Sequence, residues 1–144
     1  MNITAKSKYA VRALVELALR SEGQPIPLVV LAEARGIPTQ FLEQLFSSLR
    51  RAGILQSHRG VHGGFSFHRP SDEVTVLDVV EVLDGPIEPA LCTTEEACLR
   101  RESCSAGDVW ERAKFAVEEV LSELSIEQLA QNERARKGTP MYYI

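Results

Sequence analysis

Glycines at positions 36, 53, 60, 63 and 64 cut the middle of the chain into segments too short to be stable alone. Each segment must fold against its neighbours, because short isolated helices and lone hairpins are marginal in water. Residues 28–35 read Leu-Val-Val-Leu-Ala-Glu-Ala-Arg, a short helical pattern that Gly36 terminates. Thr39 is the expected N-cap of a helix over 40–52, with Leu42, Leu45, Phe46 and Leu49 facing inward and Gly53 at its end. Ile54 to His58 and Gly64 to His68 have the composition of short strands around Arg59-Gly60-Val61-His62-Gly63. Two short helices joined by a glycine turn and followed by a hairpin predict a winged helix-turn-helix.

The second helix is the expected reading helix. Thr39, Gln40, Glu43, Gln44, Ser47, Arg50 and Arg51 lie off its apolar face. Such side chains reach base edges and phosphates in a major groove. Arg59 at the hairpin tip suits a narrow minor groove, where negative potential is focused. Gly60 and His62 beside it complete the candidate DNA-binding set. Glu43 is the odd member. An acidic group facing DNA makes sense as a discriminator that accepts from a cytosine amino group, or else it is merely intrahelical.

Charge distribution agrees with this placement, although the mean does not. The formal net charge is −4, which offers no general attraction to a polyanion. Residues 1–70 nevertheless hold nine basic and four acidic side chains, whereas residues 71–144 hold seven and sixteen. A basic half joined to an acidic half predicts that only the first meets nucleic acid. With 44% apolar residues, the 144-residue chain has the composition of a globular domain. No apolar stretch approaches the roughly 18 residues of a membrane helix. The run from Tyr9 to Leu19 is broken by Arg12 and Glu16, unlike a secretory signal. The expected setting is cytoplasmic and reducing.

Helical patterns flank the central unit. Residues 8–20 place Ala10, Leu14, Leu17 and Ala18 on one face, with Arg12, Glu16 and Arg20 elsewhere. Gly23, Pro25 and Pro27 mark a loop. Asp72 to Asp84 contains a helix with Thr75 as its cap and Gly85-Pro86 as its stop. The longest helix is expected over Asp108 to Leu124. Its stripe of Val109, Ala113, Ala116, Val117, Val120, Leu121 and Leu124 is a candidate dimerisation face. Ser125 is expected to cap one last turn, Ile126 to Ala130. The fold class is therefore mainly α with a small β-hairpin wing. The organisation is a DNA-binding domain at 1–84, a cysteine-containing sensor loop at 85–107, a dimerisation helix and terminal turn at 108–131, and a polar, mobile tail at 132–144.

The three cysteines, Cys92, Cys98 and Cys104, are spaced C-x5-C-x5-C. Six-residue steps put them on no common helix face, and the spacing matches neither a zinc nor a C-x-x-C redox motif. Thiolates gathered in a loop suit soft metals, iron–sulfur clusters above all. Redox thiols and three unrelated free cysteines are the alternatives. The histidines His58, His62 and His68 fall in the wing, away from the cysteines. No Cys–His pairing, glycine-rich phosphate loop or paired-carboxylate site points to an enzyme.

Residues 1–130 resemble the Rrf2 family of winged-helix transcriptional regulators. The resemblance is carried by Lys6-Ser7-Lys8-Tyr9-Ala10, Phe41-Leu42-Glu43-Gln44-Leu45-Phe46, Leu49-Arg50-Arg51-Ala52-Gly53-Ile54, Arg59-Gly60 with Gly63-Gly64-Phe65, and the three cysteines followed by Trp110. It implies a homodimeric repressor or activator that binds a double-stranded DNA operator through Gln40, Glu43, Gln44 and the wing's Arg59. It also implies that the cysteines ligate a 2Fe–2S or 4Fe–4S cluster whose state tunes DNA affinity. The family's histidine ligand three residues after the last cysteine is replaced by Gly107. Lys8 stands where other members bring an acidic ligand from the first helix. Asp108, Ser105, a partner-chain group, a bound thiol or water remain as the fourth ligand. A second branch of the family is cluster-free. It represses cysteine and sulfur metabolism under the control of a partner enzyme, and Gly85-Pro86-Ile87 and the Met141-Tyr142-Tyr143-Ile144 end are compatible with it.

Overall fold

The computed structural model describes residues 3–89 and 104–138. Helix α1 (Ala5–Arg20) is the centre of the molecule, with Ala10, Ala13, Leu14 and Leu17 wholly buried. It begins three residues before the sequence pattern, because Thr4 supplies a cap: its side chain accepts from the Lys6 backbone N–H. Asp84, at the far end of another helix, closes the same terminus. Its carboxylate accepts from the Thr4 backbone N–H at 2.9 Å, the Thr4 hydroxyl at 2.6 Å and the Ser7 hydroxyl at 2.5 Å. Burial opposes the charge, but these bonds outweigh it and hold the Asp84 carboxyl below its ordinary range.

Helix α2 (Leu28–Arg35) stops at Gly36, whose φ of +62° is the left-handed conformation that glycine adopts at least cost. The Ile37 N–H then returns to the Ala32 carbonyl at 2.9 Å. Helix α3 (Thr39–Arg51) starts one residue earlier than expected. Thr39 is its first helical residue and makes no side-chain cap. Pro38 takes the capping position with φ −56°, and its carbonyl accepts from the Leu42 N–H. The expected inner residues Leu42, Leu45, Phe46 and Leu49 are all buried.

Strands β1 (Leu55–His58) and β2 (Gly64–Phe67) pair antiparallel, in a register from Leu55 opposite Phe67 to His58 opposite Gly64. The hairpin has one further backbone partner outside its two strands. Ile26, between two prolines, exchanges both backbone hydrogen bonds with Phe65 at 2.9 Å. Gly64 makes this possible: with φ +147° a side chain is strained, and a Cβ there would overlap the Ile26 backbone. Phe46 and Phe65 meet edge to face at 5.2 Å, locking the hairpin onto α3.

Helix α4 (Val76–Asp84) carries the expected Thr75 cap, completed by Asp78 as a reciprocal capping box. Helix α5 (Ser105–Glu123) begins ahead of its expected start at Asp108, and none of its residues is buried. Ser125 caps α6 as anticipated, exchanging hydrogen bonds with Gln128.

The length of α6 (Ile126–Gly138) corrects the expected single turn, and residues 132–138 are helical where a mobile tail was anticipated. The helix is anchored from both sides. Ile126 and Ala130 are fully buried against the core, and the Arg134 guanidinium donates to the Ala18 carbonyl. Arg35 binds Glu133 of α6 at 2.9 Å and Glu16 of α1 at 2.7 Å. Glu16, expected off the buried face, is 8% exposed and also binds Arg20. Burial works against the charge of Glu16, but the two arginines hold its carboxyl below the ordinary value. Burial likewise opposes the charge on Arg35, and its two carboxylate partners keep the guanidinium more firmly protonated.

Candidate nucleic-acid interface

The spacing of α3 places Thr39, Glu43, Ser47 and Arg50 along one line of the helix. All four line a cleft of about 580 Å3 closed on one side by Pro27, Leu28 and Val29 and on the other by the wing. The wing contributes Ser57, His58, Gly60 and Gly63 to Phe65. Reading helix and wing thus form one continuous surface. Arg50 fixes their relation by donating to the Ser57 hydroxyl at 3.2 Å. Within the wing, Ser66 accepts from the Gln56 amide at 3.2 Å and shares a hydrogen bond with the His58 ring at 2.8 Å.

Of the residues singled out from sequence, Thr39, Gln40, Glu43, Gln44, Arg50, Arg51, Arg59, Gly60 and His62 are exposed, and Ser47 is half-buried. The set does not form a single patch. Gln44 lines a separate groove with Lys6, Phe41 and Val82, on the side of α3 that faces α1 and α4. Arg59 and His62 belong to the hairpin tip beyond the cleft wall. Glu43, Gln40, Arg59 and His62 make no hydrogen bond or ion pair with any described residue. The Glu43 carboxylate thus has no intrahelical hydrogen bond or ion pair among the described residues. Sequence reasoning missed Val29, Ser57 and His58. Val29 is an exposed valine at the entrance of α2, and only its odd position on a short apolar helix marked it.

The candidate dimer face divides. Val109, Ala116, Val120 and Leu124 are exposed, whereas Ala113, Val117 and Leu121 are half-buried. Leu121 turns toward its own chain, lining an apolar groove with Val11, Val76 and Val80. The most exposed large apolar side chain of α5 is Phe115, at 66%, which the stripe did not include. The half-buried side of α5 is held by Lys114, which donates to Glu88 at 2.9 Å.

Cys92 and Cys98 lie outside the described residues. Cys104 is exposed at the N-cap of α5 and makes no capping hydrogen bond. Asp108 follows one turn later, also exposed. No group of three metal-binding side chains occurs among the described residues. No described helix is long and apolar enough to cross a membrane.

A helix-turn-helix with an antiparallel wing docked on its reading helix is a winged-helix DNA-binding domain. The comparisons agree. The model of the Rrf2 family, described as an iron-dependent transcriptional regulator, matches residues 3–132. The HTH-type transcriptional regulator IscR of Photorhabdus laumondii is 34% identical over 133 residues, 92% of this chain and 81% of that protein. Among solved structures, CymR, the global cysteine regulator of B. subtilis, superposes with a TM-score of 0.79 at 33% identity, covering 92% of this chain and 98% of that one. IscR of T. potens does so with a TM-score of 0.79 at 27% identity, covering 99% and 95%. The chain belongs to the Rrf2 family of transcriptional regulators. It is a DNA-binding regulator and not an enzyme.

Proposed function

We propose that the protein is a homodimeric repressor that reads a palindromic operator through α3 and the wing, and that its three cysteines report iron–sulfur cluster status. The observation that carries the DNA reading is the cleft shared by Thr39, Glu43, Ser47 and Arg50 with the wing. In this reading Glu43 selects a base, Gln40 reaches a flanking position, Gln44, set on the other side of α3, is limited to the phosphate backbone, and Arg59 and His62 hold the backbone or minor groove. The exposed side of α5 supports pairing with a second copy, because apolar side chains such as Val109, Phe115 and Val120 are left in water by a single chain.

The donor set is compatible with a cluster. Three thiols fall between positions 92 and 104, and Cys104 is exposed. Cys92, Cys98 and Cys104 would hold it, with Asp108, one turn beyond Cys104, as a candidate fourth donor. A bound cluster supplies a redox-active, thiolate-ligated centre next to the start of the dimer helix. Anaerobic purification with absorption spectra and iron and sulfide analysis tests this, on wild type and on a triple Cys→Ala form. The expected result is iron and sulfide in wild type only, with the iron count giving the cluster type.

A second reading has its own support. The fold superposes on the cysteine regulator as well as on IscR, and Gly107 has no side chain to donate. In that reading the protein is a cluster-free cytoplasmic repressor of cysteine or sulfur metabolism, controlled by a partner enzyme. Iron-free protein from both preparations, with unchanged regulation in the triple variant, would establish it over the first.

A further inference from the structure

We propose that a second cleft, between α1, the end of α2 and α6, binds a small carboxylate with an aliphatic body. The cleft has a volume of about 320 Å3, at the lower end of the range for small-molecule sites. Its walls are of two kinds. Val11, Val15, Leu124 and Leu129 provide apolar surface. Three arginines, Arg12, Arg35 and Arg136, line it against a single acidic residue, Glu133.

The three arginines are not equivalent. Arg35 is spoken for, since Glu16 and Glu133 both bind it. Arg12 has no carboxylate partner. It donates to the Arg35 carbonyl at 3.0 Å and lies over the Tyr9 ring at 5.8 Å. Arg136 makes no hydrogen bond or ion pair with any described residue, and neither does the side chain of Asn132 beside it. One guanidinium group without a partner among the described residues, Arg136, and one without a carboxylate, Arg12, therefore line one small cleft beside the Asn132 amide, in a chain whose net charge is −4. Guanidinium forks match carboxylates geometrically, and apolar walls strengthen the pairing by excluding water. The same walls disfavour a fully hydrated anion such as phosphate. The ligand class that satisfies both surfaces is a short branched-chain carboxylate.

The cleft also touches the parts that position DNA contacts. Arg12 binds the carbonyl of Arg35, the last residue of α2, directly before the Gly36 turn into α3. Leu124 is the residue that ends α5. A carboxylate that recruits Arg12 acts on both the helix-turn-helix and the dimer helix, and so changes operator affinity. This coupling rests on the DNA reading above, while the binding itself does not.

Calorimetric titration of the full-length protein without DNA tests the site, using 4-methylpentanoate, its neutral amide and inorganic phosphate. The expected result is saturable binding of one 4-methylpentanoate per chain, with the amide and phosphate at least about tenfold weaker. Arg12→Gln and Arg136→Gln are each expected to weaken binding about tenfold or more, as loss of a charge-assisted bond implies, with circular dichroism unchanged in both and the thermal midpoint unchanged in Arg136→Gln, which gives up no hydrogen bond or ion pair within the described residues. No saturable carboxylate binding, equal binding of the amide or phosphate, or full affinity in both variants would each overturn the site. Operator affinity unchanged at saturating ligand would overturn the coupling alone. A protein that binds 4-methylpentanoate but no operator would instead overturn the DNA reading.

Discussion

Glu43 and Glu16 show how one residue type takes opposite roles in neighbouring helices. Glu43 is exposed and unpaired on the reading face of α3, so its carboxylate is available to a base edge. Glu43→Ala is expected to relax preference at one operator position by about 1–3 kcal/mol while leaving non-specific binding intact. Arg59→Ala, in contrast, is expected to weaken binding to all sequences and to lower the salt slope by about one. Binding titrations against single-base operator variants at several salt concentrations separate the two. Glu16 is buried between Arg20 and Arg35. Its folded-state pKa lies below the ordinary value of 4.5, so its stabilisation is complete above that value and disappears as pH falls through the depressed one. Asp84 is shifted in the same direction and adds to the same acid limb. Glu16→Ala is expected to cost roughly 1.5–3 kcal/mol at neutral pH, the range for hydrogen bonds to charged groups. Urea melts between pH 7 and pH 3 are expected to show a shallower acid limb in the variant than in wild type.

At the scale of elements, local signals were readable and distant partners were not. Gly36, Gly53 and Gly85 end helices with positive φ, a demand that glycine announces in the sequence. Ser125 and Thr75 announced their caps for the same local reason. The line Thr39, Glu43, Ser47, Arg50 follows from helical spacing, so the exposed face of α3 that borders the wing was legible too. The Ile26 bridge was hidden, because its flanking prolines read as loop and its partner Phe65 is far along the chain. The second half of α6 was hidden as well. After Ala130 its sequence is polar, and its support comes from Arg35 and the Ala18 carbonyl, about a hundred residues away. The wing's Ser57 and His58 gave no local sign of sharing a cleft with α3. Two measurements probe these hidden contacts. Gly64→Ala is expected to destabilise the fold by more than about 1 kcal/mol, since it combines strained φ with overlap on Ile26, and urea denaturation reads it directly. Truncation after Gln131 is expected to lower the thermal midpoint by removing Glu133 from Arg35, whereas loss of an unattached tail would leave it unchanged.

The whole molecule is two-faced: a basic reading half and an acidic half that ends in two helices. Helix α6 is fastened to α1, whereas α5 has one side against its own chain and the other open. That open side carries Val109, Phe115 and Val120, with Val120 63% exposed. A symmetric dimer built on it would bury these side chains and carry two basic halves on one scaffold. Two reading helices so joined would suit half-sites about one helical turn, roughly 34 Å, apart. Val120→Glu puts a charge on the open face near the end of α5 without touching α3, the wing or the core. It is expected to sediment as a folded monomer at concentrations where wild type is dimeric. Its operator affinity is expected to fall, with a salt slope about half that of wild type, because each phosphate contact contributes roughly −0.9 and one reading half makes about half the contacts. A dimer that persists in the variant with an undiminished slope would place the interface elsewhere on the chain.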